Sequence, residues 1–226
     1  MSGPRNPLIT AADLSDAAAA EDLARTLSGS VAMLKVGLEL FTAAGPPAVE
    51  RVRRHVPVFL DLKLHDIPTT VGRAARNAAR MGVSLLTVHS LGGPKMVDAA
   101  VRGAARGAEE SGMEPPVVAA VTVLSSLAGE GLASPASLAF EAAAAGAGAI
   151  VVSGHDVRAV REVVADDVLL VVPGIRPAGH SNDDQVRVLS PGEAMEAGAD
   201  YLVIGRPITE APDPAAAAAR ILREVT

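Results

Sequence analysis

Asp61, Lys63 and Asp66 stand within six residues of one another, in the stretch Pro-Val-Phe-Leu-Asp-Leu-Lys-Leu-His-Asp-Ile-Pro at 57–68. Val58, Phe59 and Leu60 read as the core of a buried β-strand. Side chains two apart on a strand share a side, so Asp61 and Lys63 line one surface together. Asp66 falls after the strand has ended, and Pro68 can open the next helix at its first turn. Charges of alternating sign at a strand's end perturb one another's proton affinity, which suits proton transfer. A strand-end salt bridge would use the same residues without chemistry, and the rest of the chain decides between the two.

The elements that must position these residues alternate strictly. Short apolar runs rich in β-branched residues predict strands at 8–12, 31–36, 58–60, 85–88, 117–123, 149–152, 168–172 and 201–204. Between them, helical patterns cover about 16–27, 43–55, 70–81, 96–111, 135–145, 157–164 and 191–197, and an Ala-rich helix closes the chain. Gly82 and Gly112 fit helix C-caps. Strands that are apolar throughout are buried on both faces, and strict β-then-α alternation means a parallel sheet. Eight such units without a visible second domain predict an α/β fold, a single (β/α)₈ TIM barrel over 1–226, rather than an open doubly wound sheet. Residues 1–6 are expected to be flexible. The alanine runs at 17–20, 142–145 and 215–219 are expected to be small helix faces packed against the barrel.

On this frame Asp13, Lys35, Asp61, Lys63, His89, Ser125, Arg176 and Arg206 all fall at or just past the C-terminal ends of strands. That face of a barrel carries the active site. The clustering favours Asp61 and Lys63 as a catalytic pair over a salt bridge. Gly174, Gly205 and Arg206 lie in the loops after strands seven and eight, where backbone N–H groups and a guanidinium suit a phosphate dianion. The polar loop at 174–185 is long enough to be a lid, with Gln185 at its end within reach of a phosphate oxygen. His65 is expected across the strand from Lys63. His89 lines the right rim without an obvious partner, and His55, His155 and His180 read as surface residues. No H-E-x-x-H, G-x-S-x-G or P-loop pattern occurs.

Composition narrows the partners. A net charge of −6 over 226 residues and only 2% aromatics give neither attraction for nucleic acid nor a platform for its bases. No apolar stretch reaches transmembrane length uninterrupted. The first sixteen residues lack the apolar core of a signal peptide, and the absence of cysteine fits a reducing cytoplasm.

The stretch D-L-K-L-H-D-I-P-T-T at 61–70 resembles the signature of the orotidine 5′-phosphate decarboxylases, in their compact bacterial form. The likeness extends to L-K-V-G at 34–37, V-T-V-L-S-S at 121–126, V-P-G-I-R-P at 172–177, D-Q at 184–185 and Y-L-V-I-G-R-P-I-T at 201–209. The resemblance implies a cofactor-free, metal-free decarboxylation of orotidine monophosphate to UMP. By position, it makes Lys63 the acid that protonates C6 and sets Asp61 beside the substrate carboxylate. Lys35 would contact the ribose and hold the charge network, and Asp13 would bind ribose hydroxyls. Asp66, Ile67 and Thr70 would reach into the partner's site, making a homodimer with shared active sites. Ser125 would bind the pyrimidine edge, Arg176 would lie on the closing loop, and Gln185, Gly205 and Arg206 would hold the phosphate. Ala12, where the family carries a bulkier residue, and Leu14-Ser15-Asp16 are expected near the ribose contacts, and leave a modified nucleotide open as substrate. Two other readings use the same residues: a magnesium-dependent phosphosugar lyase of the same superfamily, and a catalytically silent nucleotide-binding barrel.

Overall fold

The computed structural model describes residues 6–123, 133–177 and 189–225. Its strands close in sequence order, each hydrogen-bonded in parallel to the next and the last to the first. They are β1 (Leu8–Ala12), β2 (Met33–Gly37), β3 (Val58–Leu64), β4 (Leu85–His89), β5 (Val117–Val121), β6 (Ala149–Val151), β7 (Leu169–Pro173) and β8 (Tyr201–Ile204). The first helices are α1 (Ala17–Thr26), α2 (Leu38–Ala44), α3 (Pro46–Arg53), α4 (Pro68–Arg80) and α5 (Pro94–Ser111). Then follow α6 (Pro135–Ala144), α7 (Val157–Arg161), α8 (Pro191–Glu196), α9 (Arg206–Thr209) and α10 (Pro214–Arg223). This is the (β/α)₈ barrel expected from the alternation.

Local chemistry sets the helix starts. Asp16, Ser134 and Asp213 each accept a hydrogen bond from a backbone N–H in the first turn, and Ser190 forms a reciprocal capping box with Glu193. Pro68, Pro94, Pro135 and Pro191 open helices where a missing N–H costs nothing. The single helix expected over 43–55 is two helices. Gly45 takes a left-handed φ of 62°, and the following Pro46 starts α3 afresh.

The strands' period of two separates two apolar layers. Ile9, Met33, Phe59, Leu85, Ala119, Val151, Val171 and Val203 fill the barrel interior. Leu8, Leu34, Leu60, Leu86, Ile150, Leu170 and Leu202 face the helices, meeting Ala20, Ala142 and Ala218 from the alanine runs. Among the described residues no helix is long and apolar enough to cross a membrane.

One break in this regularity bears on function. On β3, Leu60 pairs with Leu86 and Leu64 with Val88, so Asp61, Leu62 and Lys63 lie opposite Thr87 alone. The bulge puts Lys63 at φ 49°, the one positive φ of a non-glycine side chain among the described residues.

Candidate active site

The bulge delivers Asp61 and Lys63 together to the mouth of the barrel. Lys63 Nζ lies 2.9 Å from each carboxylate oxygen of Asp61. The Thr87 hydroxyl donates to Asp61 Oδ1 at 3.0 Å and accepts the Lys63 backbone N–H at 2.8 Å. Lys35 rises from β2 to within 3.6 Å of Asp61 Oδ2 and 3.3 Å of Asp13 Oδ1. The four charges thus form a chain, Asp13–Lys35–Asp61–Lys63. The side chains of Lys35 and Asp61 are only 13% and 11% exposed, which strengthens their mutual attraction; Lys63 is 32% exposed and can meet a ligand. Gly37 keeps room for this chain, because a Cβ there would stand 2.9 Å from Lys35 Nζ.

Lys35, Asp61 and Lys63 border a cavity of about 160 Å³. Its apolar wall comes from Phe59, Val121, Val151 and Val203, and its polar edge from Lys35, Asp61, Lys63, Ser153 and His155. Gly174 and Ile175, after β7, border the same space. A larger, more open cavity of about 630 Å³ begins at the next residue of the β7 loop, Arg176, and takes Arg206, Arg220, Glu210 and Asp213 in its wall. An apolar slot with a lysine–carboxylate edge suits a flat ring, and the arginines of the second hollow can take an anionic group carried by it.

Asp13, Lys35, Asp61 and Lys63 are therefore brought together as expected, and Arg176 and Arg206 share a second hollow. Asp66, Ile67 and Thr70 are exposed beyond β3, away from that charge chain; Asp66 Oδ1 accepts its neighbour's N–H from Ile67 at 2.6 Å. Gly205 precedes α9, where a Cβ would meet only Ala11 and Asp13 at ordinary contact distance. Ser125, Gln185 and His180 lie outside the described residues, as does most of the expected lid over 174–185.

Three expectations are corrected. Ala12 is fully buried in the layer between barrel and helices, one step out of phase with the inward-facing Ala11, so its side chain points to the helices rather than into the barrel. His65 lies past the strand's end and stacks on His89, with ring centroids 5.3 Å apart. His89 is thus partnered, and its Nδ1 also accepts the Leu91 N–H at 3.4 Å. Burial, and then His65 and Lys63 nearby, hold the His89 imidazole below its ordinary pKa. His155 is exposed, as expected of a surface residue, and borders the smaller cavity from there.

Thr87 and Ser153 escaped the sequence reading altogether. Thr87 carried a signal: it sits two residues before His89 in an apolar strand, so a polar side chain points inward there.

A parallel eight-stranded barrel with a buried carboxylate between two lysines, at the edge of an apolar slot, has the form of an enzyme that moves a proton on a bound ligand. The chain belongs to the orotidine 5′-phosphate decarboxylase / HUMPS family, whose model matches residues 6–221. It is 53% identical over 229 residues to the orotidine 5′-phosphate decarboxylase of Anaeromyxobacter sp. (strain K), covering 96% of this chain and 97% of that one. To the protein of the same name from Moorella thermoacetica it is 46% identical, over 98% and 92% of the two chains. The crystal structure of orotidine 5′-phosphate decarboxylase from Lactobacillus acidophilus matches with a TM-score of 0.84 at 35% identity, over 97% and 98% of the chains.

Proposed function

We infer that this protein is a carboxy-lyase that converts orotidine 5′-monophosphate to UMP, a step of pyrimidine biosynthesis. Relatives 44–53% identical over nearly the whole chain carry that activity as their name. The observation that carries the reading is the Lys63 ammonium, held at 2.9 Å by both oxygens of Asp61 at the edge of an apolar slot. In the reaction the bond from C6 to the carboxyl carbon breaks and its electron pair stays on C6. That carbanion is poorly stabilised, so a fixed ammonium beside it lowers the barrier and then supplies the proton. Solvent restores the ammonium afterwards.

The remaining residues take roles around that centre. Asp61 holds Lys63 and lies beside the substrate carboxylate, Lys35 joins this network to the ribose, and Asp13 takes the ribose hydroxyls. Ser125 is assigned to the pyrimidine edge. Gln185, Gly205 and Arg206 are assigned to the phosphate, with Arg176 on the closing loop, so that binding energy remote from the broken bond can be used at the reacting carbon. The loop at 174–185 would close over that phosphate, within a chain read as one barrel domain.

The protein is further proposed to work in the cytoplasm as a homodimer with shared sites, Asp66, Ile67 and Thr70 completing the partner's site. Large exposed apolar side chains support this: Leu38 at 54%, Ile67 at 65% and Leu91 at 41% each follow one of three adjacent strands, β2, β3 and β4. Apolar side chains left exposed after neighbouring strands suit burial by a second copy.

The test is the ultraviolet change of orotidine monophosphate on adding purified protein with excess chelator. Conversion to UMP under those conditions is expected. No conversion, with phosphosugar turnover appearing on addition of magnesium, would move the protein to the other branch of the family.

A further inference from the structure

We propose that Thr87 is a positioning residue for the decarboxylation, fixing Lys63 and Asp61 in one geometry through a single buried hydroxyl. The proposal rests on the reading of Lys63 as the acid, and on three observations.

The first is the register of β3 against β4. With Asp61, Leu62 and Lys63 opposite Thr87 alone, the regular ladder is interrupted at Lys63. The Thr87 Oγ1 takes the Lys63 N–H at 2.8 Å, so a side-chain oxygen replaces the strand carbonyl that the bulge removed. The second is the other half of the same hydroxyl, which donates to Asp61 Oδ1 at 3.0 Å. One hydroxyl has one proton to give and lone pairs to accept with, so both bonds are made at once. With the contact from Lys63 Nζ to Asp61, this closes a ring that holds the lysine at both its backbone and its ammonium. The third is the backbone. A lysine at φ 49° persists only where its surroundings over-determine it, and Thr87 supplies that constraint.

Thr87 is fully buried and absent from the lining of the smaller cavity, so it acts through its neighbours rather than on the ligand. Thr10, another fully buried threonine of the strands, has an Oγ1 with no hydrogen-bond partner. At Thr87 the hydroxyl is engaged on both sides.

The test compares Thr87→Val, which keeps the shape and removes the hydroxyl, with Thr87→Ser, which keeps the hydroxyl. Two readouts are taken: steady-state kinetics on orotidine monophosphate, and hydrogen exchange at the Lys63 amide in the ligand-free protein. In Thr87→Val, kcat is expected to fall about 10- to 100-fold, the scale of a misplacement near 1 Å, with KM close to wild type. The Lys63 amide is expected to exchange faster in that variant. Thr87→Ser should keep both properties near wild type. Should Thr87→Val not fold, Thr87→Ala removes the same hydroxyl and takes its place in the comparison. An unchanged kcat in the hydroxyl-free variant, an unchanged Lys63 exchange rate, or a serine variant as impaired as the valine one would overturn the proposal. If wild-type protein does not convert orotidine monophosphate, the substrate reading fails while the exchange data alone still decide the role of Thr87.

Discussion

Lys63 and Asp61 owe their proximity to the bulge at the end of β3 rather than to plain strand alternation. Alternation in the sequence placed the two side chains on one side, but could not show that the strand gains two residues against its neighbour. Nor could it show that Lys63 takes a left-handed backbone, since such a bulge depends on what the adjacent strand offers, here the hydroxyl of Thr87. His89 belongs to the same neighbourhood and supports a prediction about pH. Its folded-state pKa lies below the ordinary 6.5, with burial the largest cause and the positive Lys63 and titratable His65 facing it. The unfolded chain therefore binds the proton first as pH falls, and folding stability declines from about 6.5 down to the folded value. The thermal midpoint is expected to drop between pH 7.5 and pH 5.5. His89→Asn keeps an acceptor for the Leu91 N–H but cannot titrate, so its midpoint should drop less over the same interval.

At the scale of elements, the least tolerant contact lies between α4 and α5. A Cβ at Gly103 would stand 2.1 Å from the Gly72 carbonyl oxygen, and one at Gly107 would stand 2.1 Å from that of Arg76. The two helices thus meet backbone to backbone, and Arg76 and Arg80 both pair with Glu110 at the edge of the contact. Gly107→Ala must push the helices apart, at a cost of about 1–3 kcal/mol, the usual range for overpacking. In a chain of this length each kcal/mol lowers the melting midpoint by about 2–4 °C. Because α4 starts at Pro68, directly after Asp66 and Ile67, a shift of this helix should reach the rim as well. Strand order and most helices were legible in the sequence because apolar period and caps are local signals. The break between α2 and α3 was written in Gly45-Pro46, but the helical pattern around it masked the stop. The α4–α5 contact was not legible, since isolated glycines say nothing of which backbone approaches them.

The whole molecule raises the question of how two sites are completed. If Asp66 and its neighbours serve the partner, one subunit can lack Asp66 and the other Lys63 while one of the two sites stays intact. Mixing inactive Asp66→Ala and Lys63→Ala proteins under conditions of subunit exchange should restore activity, up to about a quarter of wild type when hybrids form at random. Failure of every mixture, despite demonstrated exchange, would rule out shared sites. Leu38, Ile67 and Leu91 are exposed, and such a dimer is expected to bury them.

The central claim is that Lys63 supplies both charge and proton to the carbon that loses its carboxyl group. It is tested most directly by comparing wild type with Lys63→Ala at saturating orotidine monophosphate, with UMP binding measured on both. Loss of about 10⁴-fold or more in kcat is expected, since the variant lacks a general acid and an electrostatic stabiliser together, while UMP still binds. A Lys63→Ala protein that decarboxylates within about tenfold of wild type, less than a general acid alone contributes, would contradict the assignment.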